Sequence, residues 1–163
     1  MESKYIIGID PGKKGGIAVW NCETSSVECV ITMPETHYDL LSFLKEYSES
    51  SVCYLEKVGG MPGQGGAAMF NFGKGFGHLE MALLALGITT EEVVPQKWQK
   101  MYGLGGRKGA GGAKEWKVKL KEKAQQLFPK LWSSFPKKTK EFEMSICDAL
   151  LIMHYGVAEM RGK

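Results

Sequence analysis

The sequence predicts an α/β fold built as one domain over residues 1–163. Three observations predict it. Short β-branched apolar runs, bounded by Pro, Gly and Ser, recur in the first part of the chain and read as strands. Stretches of helical periodicity stand between and after them. The last such stretch, residues 143–158, is apolar almost all round, which is the pattern of a buried helix.

The elements follow in order. Tyr5-Ile6-Ile7-Gly8-Ile9-Asp10 is a buried strand, and Pro11-Gly12 forces a turn after it. Gly16-Ile17-Ala18-Val19-Trp20 returns at once, which makes a hairpin with Asp10 at its head. Residues 27–33 form a third strand closed by Pro34. Residues 38–47 carry Leu40, Leu41, Phe43, Leu44 and Tyr47 on a helical face, with Asp39 favourably placed in the first turn. Residues 52–56 make a fourth strand, able to lie parallel beside the first and ending, like it, in a carboxylate, Glu56. Residues 67–86 read as a helix weakened by Gly73, Gly75 and Gly77. Residues 91–94 make a short fifth strand, and Pro95 opens a helical segment through Lys100. Residues 114–128 form an amphipathic helix. Trp116, Leu120, Ala124 and Leu127 line its apolar face, with Lys117, Lys119, Lys121 and Lys123 expected largely away from it. Pro129 and Pro136 bracket an expected loop. Two glycine-rich stretches, at about 57–66 and 103–113, read as flexible loops. The first is no nucleotide P-loop, because no Lys-Ser/Thr follows its glycines.

Composition narrows the function. No apolar run reaches membrane-spanning length, and Met1-Glu2-Ser3-Lys4 opens no signal peptide. Cys22, Cys29, Cys53 and Cys147 lack metal-site spacing and read as reduced thiols of a cytoplasmic protein. His37, His78 and His154 show no metal-ligand spacing either. Charge is uneven. Acids outnumber bases two to one up to Pro95, whereas residues 97–140 hold thirteen Lys/Arg against Glu115 and Glu122 alone. A basic lobe joined to an acidic one points to a polyanion surface beside a cation site.

Three carboxylates stand apart from the rest. Asp10 and Glu56 end buried strands, and Asp148 interrupts the buried helix. Acids converging from three core elements would repel one another, and divalent cations are their natural counterions. Oxygen ligands alone favour Mg²⁺, with Mn²⁺ as substitute. Two such ions, roughly 3.5–4 Å apart, suit phosphodiester hydrolysis.

The ordered set GIDPG with its hairpin, LE at a later strand end, MPGQGGAAMFNFGKGFG, VVPQKWQK and CDALLI resembles the RuvC-like Holliday junction resolvases of phages and mobile elements. These belong to the RNase H-like superfamily. The resemblance covers nearly the whole chain. It implies a mixed five-stranded sheet flanked by helices, a homodimer, and Mg²⁺-dependent paired nicking of four-way DNA junctions with two ions per site. The family acids map onto Asp10, Glu56 and Asp148. The fourth family acid falls where this chain has Met144 or Ser145, so Glu143 is the nearest substitute and Glu141 the next. Five residues before Asp148, Glu143 fits only if it precedes the helix or the first turn is distorted. Lys13, Lys14, Lys57, Lys74, Lys97, Arg107, Lys108, Lys137, Lys138 and Lys140 are the expected phosphate contacts, and Phe70 and Phe72 the candidates to stack at an opened junction centre. No nucleotide cofactor is expected. The competing readings are a non-catalytic junction-binding protein of the same fold and an RNase H-like nuclease for branched DNA or hybrids. An actin-like kinase fold would need two such hairpin lobes and a longer chain.

Overall fold

The computed structural model describes residues 3–59, 65–103, 112–135 and 139–162. The parts of the two glycine-rich loops at 60–64 and 104–111 lie outside them, as do Arg107, Lys108, Lys137 and Lys138.

Five strands form one mixed sheet in the order β3-β2-β1-β4-β5. They are β1 (Tyr5–Asp10), β2 (Gly16–Asn21), β3 (Ser26–Thr32), β4 (Ser51–Glu56) and β5 (Thr89–Val93). The hairpin partners β1 and β2 are antiparallel, as are β2 and β3. The return through α1 (His37–Glu46) brings β4 parallel to β1, and α2 (Gly66–Ala85) brings β5 parallel to β4. Thr36 caps α1 by accepting from the Asp39 backbone N–H.

Strand alternation sorts the core into two layers. Ile7 and Ile9 of β1, with Cys53 and Leu55 of β4, face Leu40, Leu44, Leu79 and Leu83 of α1 and α2. Ile6 and Tyr54 face the other way, against the last helix. Asp10 shares the parity of Ile6, and Glu56 shares that of Tyr54. Both carboxylates are therefore directed to the last-helix side.

Among the described residues three more helices follow α3 (Pro95–Lys100): α4 (Ala113–Leu127), α5 (Pro129–Ser134) and α6 (Lys140–Arg161). Residues 129–134 thus form a short helix where a loop is expected. Pro129 stands in its first turn and Trp132 is buried beneath it. Helix α6 begins three residues before the expected Glu143, because Thr139 accepts from the Phe142 N–H and starts the helix there. It is buried from Ser145 through Met153.

Gly8 explains how closely α6 lies on β1. A Cβ at this position would stand 2.6 Å from the Ala149 carbonyl oxygen and nearer still to the Met153 nitrogen. Only the absence of a side chain lets the helix backbone rest on the strand beside Asp10. Cys29, Cys53 and Cys147 are free thiols, with Cys53 and Cys147 buried. Among the described residues, no helix is long and apolar enough to cross a membrane.

Candidate active site

Asp10 and Glu56 are neighbours because β1 and β4 are parallel and in register. Ile9 pairs with Leu55, so the next residue of each strand is the carboxylate. The two carboxyls are close enough to share a hydrogen bond. Asp148 enters from α6, itself only 5% exposed. These three expected residues are brought together.

The electrostatics report the crowding. Asp10 is held well above the ordinary carboxylate range, first by burial, then by the charges of Asp148 and Glu56. Glu56 is pushed up to about 7, again by burial first and then by Asp148. The buried Trp98 indole donates to Glu56 Oε1 at 3.1 Å and opposes that rise. This indole fixes the Glu56 carboxylate on the α3 side.

Lys117 is the functional residue that sequence reasoning placed in solvent. Its ammonium donates to Asp148 Oδ2 and also lowers the Asp10 pKa. Burial works against its charge, but Asp148 and Asp10 outweigh that, leaving its pKa raised. The missed signal lay in the helical wheel: Lys117 follows Trp116 and precedes Leu120 by three, on the border of the apolar face. Lys121, one turn on, likewise turns inward and pairs with Glu143 Oε2 at 2.5 Å.

That pairing settles where Glu143 lies. It sits within α6, bonded to Lys121 and receiving the Trp132 indole N–H at 3.3 Å. The helix is neither late-starting nor distorted, so a residue five before Asp148 faces α4 and α5. Glu141, two full turns before Asp148, shares its face and lines the cleft over Asp10. Ser145 and Met144 line the same cleft in place of a further acid.

The cleft measures about 700 Å³ and is walled by Asp10, Pro11, Gly12, Lys14, Lys117 and Lys140 with the α6 residues just named. Lys14 and Lys140 therefore share the cleft with Asp10, and Lys13 is exposed on the same hairpin turn. Lys74 is exposed on α2. Lys57 is paired with Glu92 at 2.8 Å, and Lys97 with Glu91 at 3.8 Å and over the Tyr155 ring. These two lysines are engaged with acids of β5 rather than standing at the cleft. Phe72 lies over the turn, 3.3 Å from a Cβ built on Gly12, and stacks with Phe76. Phe70 is 70% exposed.

The donor set fits hard divalent cations. Every converging ligand atom is a carboxylate oxygen, and the mutual repulsion of three acids is relieved in part by one lysine ammonium. Among the described residues no ready-made cage of three ligands is closed around a point. The carboxylates would have to draw closer to bind an ion together.

No family model matches the chain, and no curated protein matches it. Solved structures do. RuvC of Thermus thermophilus in complex with a Holliday junction aligns with TM-score 0.62 and 15% identity, covering 97% of this chain and 96% of that one. The fold is the RuvC fold. A second T. thermophilus RuvC structure aligns with TM-score 0.54 and 18% identity over 96% of both chains. The fowlpox virus Holliday junction resolvase aligns with TM-score 0.50 and 14% identity, over 98% and 99%. The expected mixed five-stranded sheet flanked by helices is thus the observed one.

Proposed function

We propose that this protein is a structure-selective endonuclease that resolves four-way DNA junctions by metal-assisted phosphodiester hydrolysis, two protomers making paired nicks. The observation that carries the reading is the meeting of Asp10, Glu56 and Asp148 where Asp10 borders a cleft that Lys14, Lys117 and Lys140 also line, within a RuvC fold. Asp10, Glu56 and Asp148 would hold Mg²⁺ or Mn²⁺, two ions at full occupancy. Such ions polarise a phosphodiester and supply a nucleophile at neutral pH without a catalytic base from the chain.

The chain's own residues do the rest. Lys14 and Lys140 draw a phosphate over Asp10, and phosphate contacts read backbone shape rather than base sequence, as a branched substrate requires. Trp98 holds Glu56 in place. Lys13 and Lys74 extend the positive rim, and Arg107, Lys108, Lys137 and Lys138 belong to the same basic lobe of the sequence. Phe70 offers an exposed ring for stacking on an unpaired base.

A second copy completes the assembly through α2. Met81 and Leu84 are 60% and 73% exposed and fall on one stripe with Gly66, Gly73 and Gly77. An added Cβ on any of these glycines meets nothing within 4 Å. A stripe of bare backbone flanked by exposed apolar side chains admits a second helix closely, and a twofold pair would set two clefts for two nicks.

The test is incubation of a labelled four-way junction and a linear duplex of the same arms with Mg²⁺, Mn²⁺ or EDTA. Paired metal-dependent nicks in the junction alone, abolished by Asp10→Asn with binding retained, are expected. Junction binding without nicks in either metal would instead favour a non-catalytic junction-binding protein. Equal cutting of all branched or hybrid substrates would favour the broader nuclease.

A further inference from the structure

Lys117 occupies a position with a second meaning. It is the cation at the centre of three acids, it reaches them from a different helix, and its side chain is 39% exposed on the open side of the cleft. Its partner Asp148 has no exposed route to another cation, being 8% exposed at the side chain. An ammonium bonded to Asp148 Oδ2 stands where a divalent ion bound through that oxygen would have to lie near it, and two cations held close together on one carboxylate repel strongly. The tether is long and flexible, so the ammonium can leave by side-chain rotation alone, without moving α4.

Resting on the metal-dependent nuclease reading above, we infer that Lys117 is a tethered competitor of the divalent ion: metal binding expels its ammonium from Asp148 into the cleft, where it contacts the phosphate of the DNA. The metal-free site is thereby kept partly neutralised, and the same lysine couples ion binding to phosphate binding. Ion and phosphate then favour each other's binding, because each stabilises the arrangement with Lys117 turned outward. Lys14 and Lys140, which also line the cleft, touch none of the three acids through a hydrogen bond or ion pair among the described residues, so the exchange belongs to Lys117.

The experiment is calorimetric titration of Mn²⁺ into the full chain without DNA, comparing wild type, Lys117→Met and Lys119→Met. Lys119 is exposed on the same helix, so its variant removes the same charge without touching the acids. Lys117→Met should bind Mn²⁺ about tenfold more tightly than either of the others. In parallel, lysine acylation of the wild type read by mass spectrometry should rise severalfold at Lys117 when Mn²⁺ is added, and stay constant at Lys119. Affinity of Lys117→Met no tighter than that of Lys119→Met, or acylation of Lys117 indifferent to Mn²⁺, overturns the exchange. The nuclease reading is separable: Mn²⁺ binding by wild type that is lost in Asp10→Asn keeps the metal site whatever Lys117 does. Absence of Mn²⁺ binding by all variants overturns both.

Discussion

Replacing Glu56 by Gln should stabilise the metal-free protein at pH 8 and not at pH 5. Glutamine keeps an oxygen acceptor for the Trp98 indole, which donates at 3.1 Å, and removes only the charge. The ordinary value of 4.5 for this carboxyl is pushed up to about 7 in the folded chain. A carboxyl with a raised folded value binds its proton more tightly in the folded than in the unfolded state. Folding stability therefore falls as pH rises from about 4.5 to about 7, and is flat above that. The full displacement corresponds to about 3 kcal/mol, and screening through the open cleft brings the expectation to about 2 kcal/mol. For a chain of this size that is a rise of roughly 4–8 °C in Tm. The assay is thermal unfolding in EDTA, followed by tryptophan fluorescence, for both proteins at pH 5 and pH 8. Added Mn²⁺ should reverse the order at pH 8, since the wild type gains binding energy that the variant lacks. A Gln variant that is no more stable than wild type at pH 8, or equally favoured at both pH values, would refute the argument that Glu56 is a crowded, charge-strained carboxylate.

Three further outcomes follow from the packing and the surface. Gly8→Ala should lose about 3 kcal/mol by calorimetry because α6 has to lift from β1, whereas Gly75→Ala on exposed α2 should gain about 0.5–1 kcal/mol. Neutralising Lys14 and Lys140 together should weaken junction binding and flatten its salt dependence by nearly two logarithmic units per logarithm of salt, measured by fluorescence anisotropy. Leu84→Glu should shift the protein to monomer in sedimentation velocity and replace paired nicks by single ones; a dimer unaffected by that charge would place the interface elsewhere.

Much of this architecture was legible because strands announce themselves twice, by composition and by parity. Asp10 and Glu56 could be placed at strand ends from the runs that precede them, and the interruption of an apolar helix made Asp148 visible. Less legible were features that depend on partners from distant segments. Lys117 and Lys121 look like members of a solvated lysine face until α6 is known to supply Asp148 and Glu143 opposite them. Glu143 itself was the nearest acid in sequence, yet an early start of α6 at the Thr139 cap turns it toward Trp132 and leaves Glu141 over the cleft. The helix Pro129–Ser134 was hidden because it is short and lies between prolines, where loop chemistry dominates the local signal.

The parallel pairing of β1 with β4, and the seating of α6 across both, also governs the order in which the three carboxylates come together. The hairpin β1-β2 can form as soon as its residues emerge, but parallel neighbours require the intervening helix to be threaded first. Asp148 arrives only with the last described helix, and Gly8 admits that helix only onto a finished strand. Contacts of such long sequence separation form late in folding. A chain whose synthesis has not yet passed Asp148 therefore carries Asp10 and Glu56 without their third partner. Conversely, local fraying of α6 from β1 dismantles the site while the sheet survives. The meeting of the three carboxylates is thus a property of the completed fold and not of any segment of it.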